Sequence, residues 1–242
     1  MAALEFSHVS KEFAHGGRQL LGRLVGSQLL GLRNPRQANA FQALRDISFT
    51  VEPGESVGLV GSNGAGKSTL LALASGVTPP DGGRISVEGT VVPLLDLGAG
   101  FHPDLTGEEN LRLNASLLGL DRRRTEQIAP AVTEFSELGE FISDPVRVYS
   151  SGMVMRLAFS IAVHLDPDVF VIDEIIGVGD AAFQEKCRRK MLEFRERRKT
   201  LLVASHSPAL ITALCDRAIW LEKGSIVRSG AADEVMAAYT KR

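Results

Sequence analysis

The sequence predicts an α/β fold, a mixed sheet with a mostly helical segment inserted in it, on three observations. The short apolar runs SVGLV, DVFVID and TLLVAS have the length and the Val/Leu content of strands buried on both faces. A glycine-rich stretch, GSNGAGKST at residues 61–69, stands between the first of these runs and the helical run TLLALAS. Between the first and second strands lies a long segment whose apolar residues fall at helical rather than strand spacing.

Taken in order, LEFSHVSKEF alternates as a strand, and ALRDISFTVEPGESVGLVGS gives two more joined by the turn EPGE. Residues 14–40 interrupt this β region. The stretch is rich in Gly and Leu, and Arg18, Arg23, Arg33 and Arg36 stand in it with no acid, so four positives minus no negatives gives +4. In TGEENLRLNASLLGL, Thr106 followed by Glu109 is a capping-box pattern, and a second helical segment, DRRRTEQIAPAVTEFSEL, follows the break at Gly119. Arg122 to Arg124 read as a solvated helix face. YSSGM at 149–153 opens the apolar run MVMRLAFSIAVHL, which one arginine and one serine interrupt. Ser207 and Pro208 suit an N-cap and a first helical turn. RAIWLEKGSIVRSG reads as a hairpin turning at Lys223-Gly224, and AADEVMAAYTKR as a closing helix. The expected division is one domain over 1–242, with a core from 1–98 and 165–242 and a helical subdomain over about 99–164.

Composition narrows the function. With 242 residues, 44% of them hydrophobic, the chain is long enough for a full α/β domain. A net charge of −2 gives no overall attraction to nucleic acid or to acidic lipid. The two cysteines, Cys187 and Cys215, lie far apart without zinc-ligand spacing, so reduced thiols are expected. No apolar run approaches the roughly 18 residues that span a bilayer, and the first residues do not form a signal peptide, so a cytoplasmic location is expected.

GSNGAGKST fits GxxxxGK[ST] at every constrained position. Its candidate nucleotide-binding residues are Gly61, Ser62, Asn63, Gly64, Ala65, Gly66, Lys67, Ser68 and Thr69. The glycines let backbone amides wrap a β-phosphate, Lys67 reaches the β and γ oxygens, and the Ser68 hydroxyl suits Mg²⁺. Asp173, at the end of a hydrophobic strand, puts a carboxylate near that metal. Glu174, one residue on, is the candidate base for an attacking water. YSSGM then raises a question, because two serines and a glycine opening a helix form a second anion reader in a chain that already has one.

These motifs carry a resemblance. GSNGAGKST, YSSGM, VFVIDE, the Asp180 of GVGD and the His206 of VASHS follow the order and approximate spacing of the ATPase subunits of ATP-binding cassette transporters, and the likeness covers nearly the whole chain. It implies a P-loop NTPase core with a RecA-like mixed sheet and N-terminal antiparallel strands, plus an inserted helical subdomain. It also implies a head-to-tail homodimer that sandwiches two ATP. In that dimer Ser150, Ser151, Gly152 and Met153 face the partner's ATP, Asp180 crosses the interface, and His206 holds the γ-phosphate and the base in place. Tyr149 stands where the family's signature has Leu, Ser151 replaces its first Gly and Met153 its Gln. The family also stacks an aromatic on adenine; Phe13 is the candidate and Phe41 the rival. Its loop glutamine is missing, and Asp96 is the candidate substitute as a metal-sensing residue.

Within the family, DLGAGFHPDLTGEENLRLNASLLGL, FSELGEFISDPVRVYSSGM and IDEIIGVGDAAFQEKC resemble the ATPases that export O-antigen, capsule and teichoic acid polymers on lipid carriers. The expected partner is then a separate polytopic permease, in two copies, with the chain peripheral at the cytoplasmic face of the inner membrane and lipid-linked polysaccharide passing through the complex. No nucleic-acid partner is expected, nor the C-terminal glycan-reading β-sandwich of some members. The 14–40 insertion is read either as a contact to permease or lipid head or as a solvated loop. The alternatives are the ATPase of another such transporter, or a soluble cassette ATPase acting on DNA or ribosomes. The second usually brings coiled-coil arms or paired cassettes, and neither is seen in this sequence.

Overall fold

The computed structural model describes residues 2–14, 40–95, 98–173 and 180–241. The insertion's arginines, Asp96 and Glu174 lie outside these residues.

β1 (Leu4–Ala14), β2 (Ala40–Val51) and β4 (Gly82–Val87) form an antiparallel sheet in the order β2-β1-β4. β1 and β2 pair to their ends, with Phe13 opposite Phe41 and Ala14 opposite Ala40. The basic insertion therefore joins the end of a paired hairpin. The main sheet has the order β5-β6-β7-β3-β8-β9. It comprises β3 (Ser56–Val60), β5 (Val91–Leu94), β6 (Val169–Asp173), β7 (Thr200–Ala204), β8 (Arg217–Glu222) and β9 (Ser225–Ala231). All its pairings are parallel except β8 with β9, whose hairpin turns at Lys223 and Gly224 with both φ positive.

The central strands bury both faces, and the period of two decides which core each side chain joins. Val57, Leu59, Val169, Val171, Leu202 and Ala204 face the N-terminal sheet and α1 (Lys67–Ala74). Phe170, Ile172, Leu201 and Val203 face the other side and pack with the remaining helices. That layer contains α5 (Ala181–Glu196), α6 (Pro208–Leu214) and α7 (Ala232–Thr240). Between β5 and β6 the chain builds α2 (Gly107–Leu117), α3 (Arg122–Ser136) and α4 (Ser151–Ala162). The capping box of α2 has both halves: Thr106 Oγ1 accepts from Glu109 N at 3.2 Å, and Thr106 N donates to Glu109 Oε2 at 2.8 Å.

The register brings the predicted motifs together. Asp173 pairs with Ala204, and Ala204 with Leu59. Because the three strands are parallel, the loop after Val60, the carboxylate of Asp173 and the turn carrying His206 emerge at one edge of the sheet. Ligand sites of open α/β sheets lie at this carboxyl edge.

Candidate nucleotide site

The glycine-rich loop is braced from behind. Gly66, at φ 108°, N-caps α1; a Cβ there would lie 2.9 Å from the Ala43 carbonyl and 2.7 Å from Leu44 Cδ2. Gly224, at φ 80°, donates its N–H to the Ala65 carbonyl at 3.0 Å, and a Cβ on it would meet Ala43 O at 2.5 Å. A side chain at either position would push the loop off β2 or off the β8–β9 hairpin. This bracing leaves the loop curled around Lys67, whose Nζ donates to the carbonyls of Gly61 at 2.8 Å and Ser62 at 3.2 Å.

A cavity of about 520 Å³ opens in front of the loop. Asn63, Gly64, Gly66, Lys67, Ser68 and Thr69 line it, together with Asp173, His206, Phe41, Ala43 and Leu95. Ser68 Oγ donates to Asp173 Oδ2 at 2.8 Å, and Lys67 Nζ stands 3.4 Å from His206 Nε2. A hydroxyl and a carboxylate in contact beside a lysine are the hard oxygen donors Mg²⁺ takes from protein in phosphate sites, so this pair fits that ion.

The two aromatic candidates are placed differently. Phe41 lines the cavity and Phe13 does not. Phe13 sits across the ladder on β1, 44% exposed, with Lys11 Nζ 5.7 Å from its ring centroid. Both rings stand on the same pair of strands, so only the register relative to the loop separates them. The sequence also gave no sign that Ala43 and Leu95 complete the wall.

The stretch expected to read a second anion lies elsewhere. Ser150 N-caps α4, its Oγ accepting from Met153 N at 3.2 Å, and Ser150 and Ser151 are exposed. None of residues 150–153 lines the cavity. Asp180 is likewise outside it, as the N-cap of α5. One of its oxygens accepts from Phe183 N at 2.9 Å, and the other takes Arg156 Nη2 at 2.6 Å. The Phe183 amide, and after it Arg156, hold its carboxyl below the ordinary aspartate range. Arg156 also reaches Glu137 at 3.1 Å, which Lys186 meets at 2.7 Å. Arg156 is the one arginine interrupting the apolar run of α4. That interruption was the available signal for this contact between α4 and Asp180.

Comparison with known proteins agrees with this geometry. The family model described as ABC transporter matches residues 44–177. An O-antigen export system ATP-binding protein of Klebsiella pneumoniae is 44% identical, covering 98% of this chain and 96% of its own length. A teichoic acids export ATP-binding protein of Listeria monocytogenes is 42% identical over 98% of this chain and 69% of its own. Among solved structures, an ATP-binding subunit of an ABC transporter aligns with a TM-score of 0.76 at 25% identity, covering 99% of this chain and 94% of that one. A dimeric ATP-binding cassette in a post-hydrolysis state with ADP and Pi aligns at 0.74 and 19% identity, covering 95% and 98%.

Proposed function

We propose that this chain, which belongs to the ABC transporter family, is the ATP-hydrolysing subunit of an exporter that moves lipid-linked polysaccharide across the cytoplasmic membrane. The observation that carries the catalytic half is the meeting of Lys67, Ser68, Asp173 and His206 in one cavity at the carboxyl edge of the sheet. Supporting the cargo is the near full-length similarity to the Klebsiella O-antigen export protein.

In this reading the amides of residues 61–67 and the Lys67 ammonium hold the β- and γ-phosphates. Ser68 and Asp173 would hold Mg²⁺, which neutralises phosphate charge when bound. Phe41 stacks on adenine. Glu174 follows Asp173 directly in sequence and orients or deprotonates the attacking water. His206 steadies the terminal phosphate from the turn after β7. Each anion-reading helix start, with Ser150 as its cap, completes the site of a second copy, so ATP closes the homodimer and loss of the γ-phosphate opens it. Among the described residues no helix is long and apolar enough to cross a membrane. In this reading the membrane path belongs to a separate permease.

Purification of tagged protein from gently solubilised native membranes tests this assignment. Recovery of one polytopic membrane protein in equal amount is the expected result. Recovery of only ribosomal or DNA-associated proteins would remove the polysaccharide and leave the ATP chemistry.

A further inference from the structure

The geometry points to Arg147, which straps the segment 102–107 to the chain before α4, and Tyr149, which anchors the residue before the cap to Phe141 beside Gly107, as positioning residues that aim Ser150 from outside its own helix. The inference rests on the proposed reading of Ser150 as a contact to a second copy's ATP.

Two stretches distant in sequence run side by side immediately before α2 and α4. Thr106 and Pro145 form an isolated antiparallel bridge. Around it Gly107 N donates to Asp144 O at 3.2 Å, Val146 N to Leu105 O at 2.9 Å, and Arg147 N to Pro103 O at 2.8 Å. The Arg147 side chain repeats the connection, with Nη1 2.8 Å from Asp104 Oδ1. The far side of the strap is equally fixed. Asn110 is fully buried and donates to the carbonyls of His102, Leu105 and Thr106 at 3.0 Å each, while accepting from His102 N at 2.7 Å. Residues 102–107 therefore have little freedom relative to α2.

Tyr149 anchors the residue before the cap. Its hydroxyl donates to the Phe141 carbonyl at 2.6 Å. A Cβ on Gly107 would fall 2.3 Å from that hydroxyl and 2.8 Å from Ile142 O, so the first residue of α2 leaves room for it. The next residue is Ser150, whose Oγ caps α4. A displacement of 102–105 then reaches Ser150 through the backbone pairing and the Arg147–Asp104 ion pair, over a few residues, without crossing the core.

The Glu174→Gln variant of the full chain, lacking the proposed base, serves as parent for Tyr149→Phe and Arg147→Met. Binding of a fluorescent ATP analogue to dilute monomer, ATP-driven dimerisation by sedimentation, and melting temperature are measured for each. We expect monomer binding to match the parent and melting to fall by only a few degrees, the scale of one intrachain hydrogen bond or exposed ion pair, while the ATP concentration for half-dimerisation rises about tenfold because Ser150 is no longer held in position for the second copy. The reversed pair Asp104→Arg with Arg147→Asp should recover most of the Arg147→Met loss. Dimerisation equal to the parent in both variants, or a loss matched by equal losses in monomer binding and melting, would overturn the strap and leave the proposed function intact. A parent that stays monomeric with ATP would instead remove the contact between copies on which the strap rests.

Discussion

At the scale of single residues, the proposed stacking of adenine turns on which of two rings lines the cavity. Phe41 is 50% exposed and shares the cavity wall with Thr69 and Ser68, whereas Phe13 is engaged by Lys11 on the other strand. Stacking of a base on an aromatic ring is worth about 1–3 kcal/mol by alanine substitution. Phe41→Ala is therefore expected to weaken ATP binding by about 5- to 150-fold, and Phe13→Ala to leave it near wild type, in a titration with fluorescent nucleotide. Equal losses in both would mean that the two rings clamp the base together. The glycine-rich loop was legible because its constraints are local: every required residue lies within nine positions. The choice between rings was not, because a directly opposed pair such as Phe13 and Phe41 points to one face of the ladder, and strand alternation cannot rank its members.

Among the elements, those with chemical punctuation were readable and those without it were not. Thr106 with Glu109, Ser207 with Pro208 and Lys223 with Gly224 mark boundaries found in the structure. β4 is largely exposed and β5 is four residues long with Pro93 inside, so neither offered an apolar run to read. α5 buries Phe183, Cys187, Met191 and Phe194 in a stripe thinned by the charged residues between them. The end of α4 carries a testable consequence of packing. His164 Nδ1 donates to the Ser160 carbonyl at 2.7 Å, and its ring meets Phe135 edge-on at 5.5 Å. Burial lowers its pKa from the ordinary value; the Ser160 bond opposes but does not cancel this. A proton then binds the unfolded chain more tightly than the folded one, so stability is intact above the unfolded value of about 6.5 and is lost as pH falls from there through the folded pKa. The melting temperature should drop more between about pH 7.5 and about pH 5.5 in the wild type than in His164→Gln. Parallel curves for the two proteins would show that this ring is not the titrating group.

For the whole molecule, the decisive arrangement is that the proposed second anion reader, the cap of α4, lies outside the cavity that holds the glycine-rich loop. Lys67 lies in the cavity wall and Ser150 outside it, capping a helix of the inserted segment. If the second reader serves another copy, a two-fold dimer contains two composite sites, each taking its loop from one chain and its cap from the other. Complementation follows from that symmetry. Lys67→Ala destroys both loops of its homodimer, and Ser150→Arg places bulk and charge at both caps of its own, so each protein alone should hydrolyse almost no ATP. A mixed dimer gathers both defects into one site. Its other site pairs the intact loop of the Ser150→Arg chain with the intact cap of the Lys67→Ala chain. Random mixing makes half of the dimers mixed, with one working site of two, so an equimolar mixture should recover about one quarter of wild-type turnover when the sites act independently. Obligatory joint firing of both sites would lower that figure while still leaving ATP binding at the intact site, seen as one tight nucleotide per mixed dimer. A mixture as inactive as its components, binding no nucleotide tightly, would show that the cap of α4 does not complete a neighbour's site, and that the proximity of Ser150 to the strap serves the fold of a single chain.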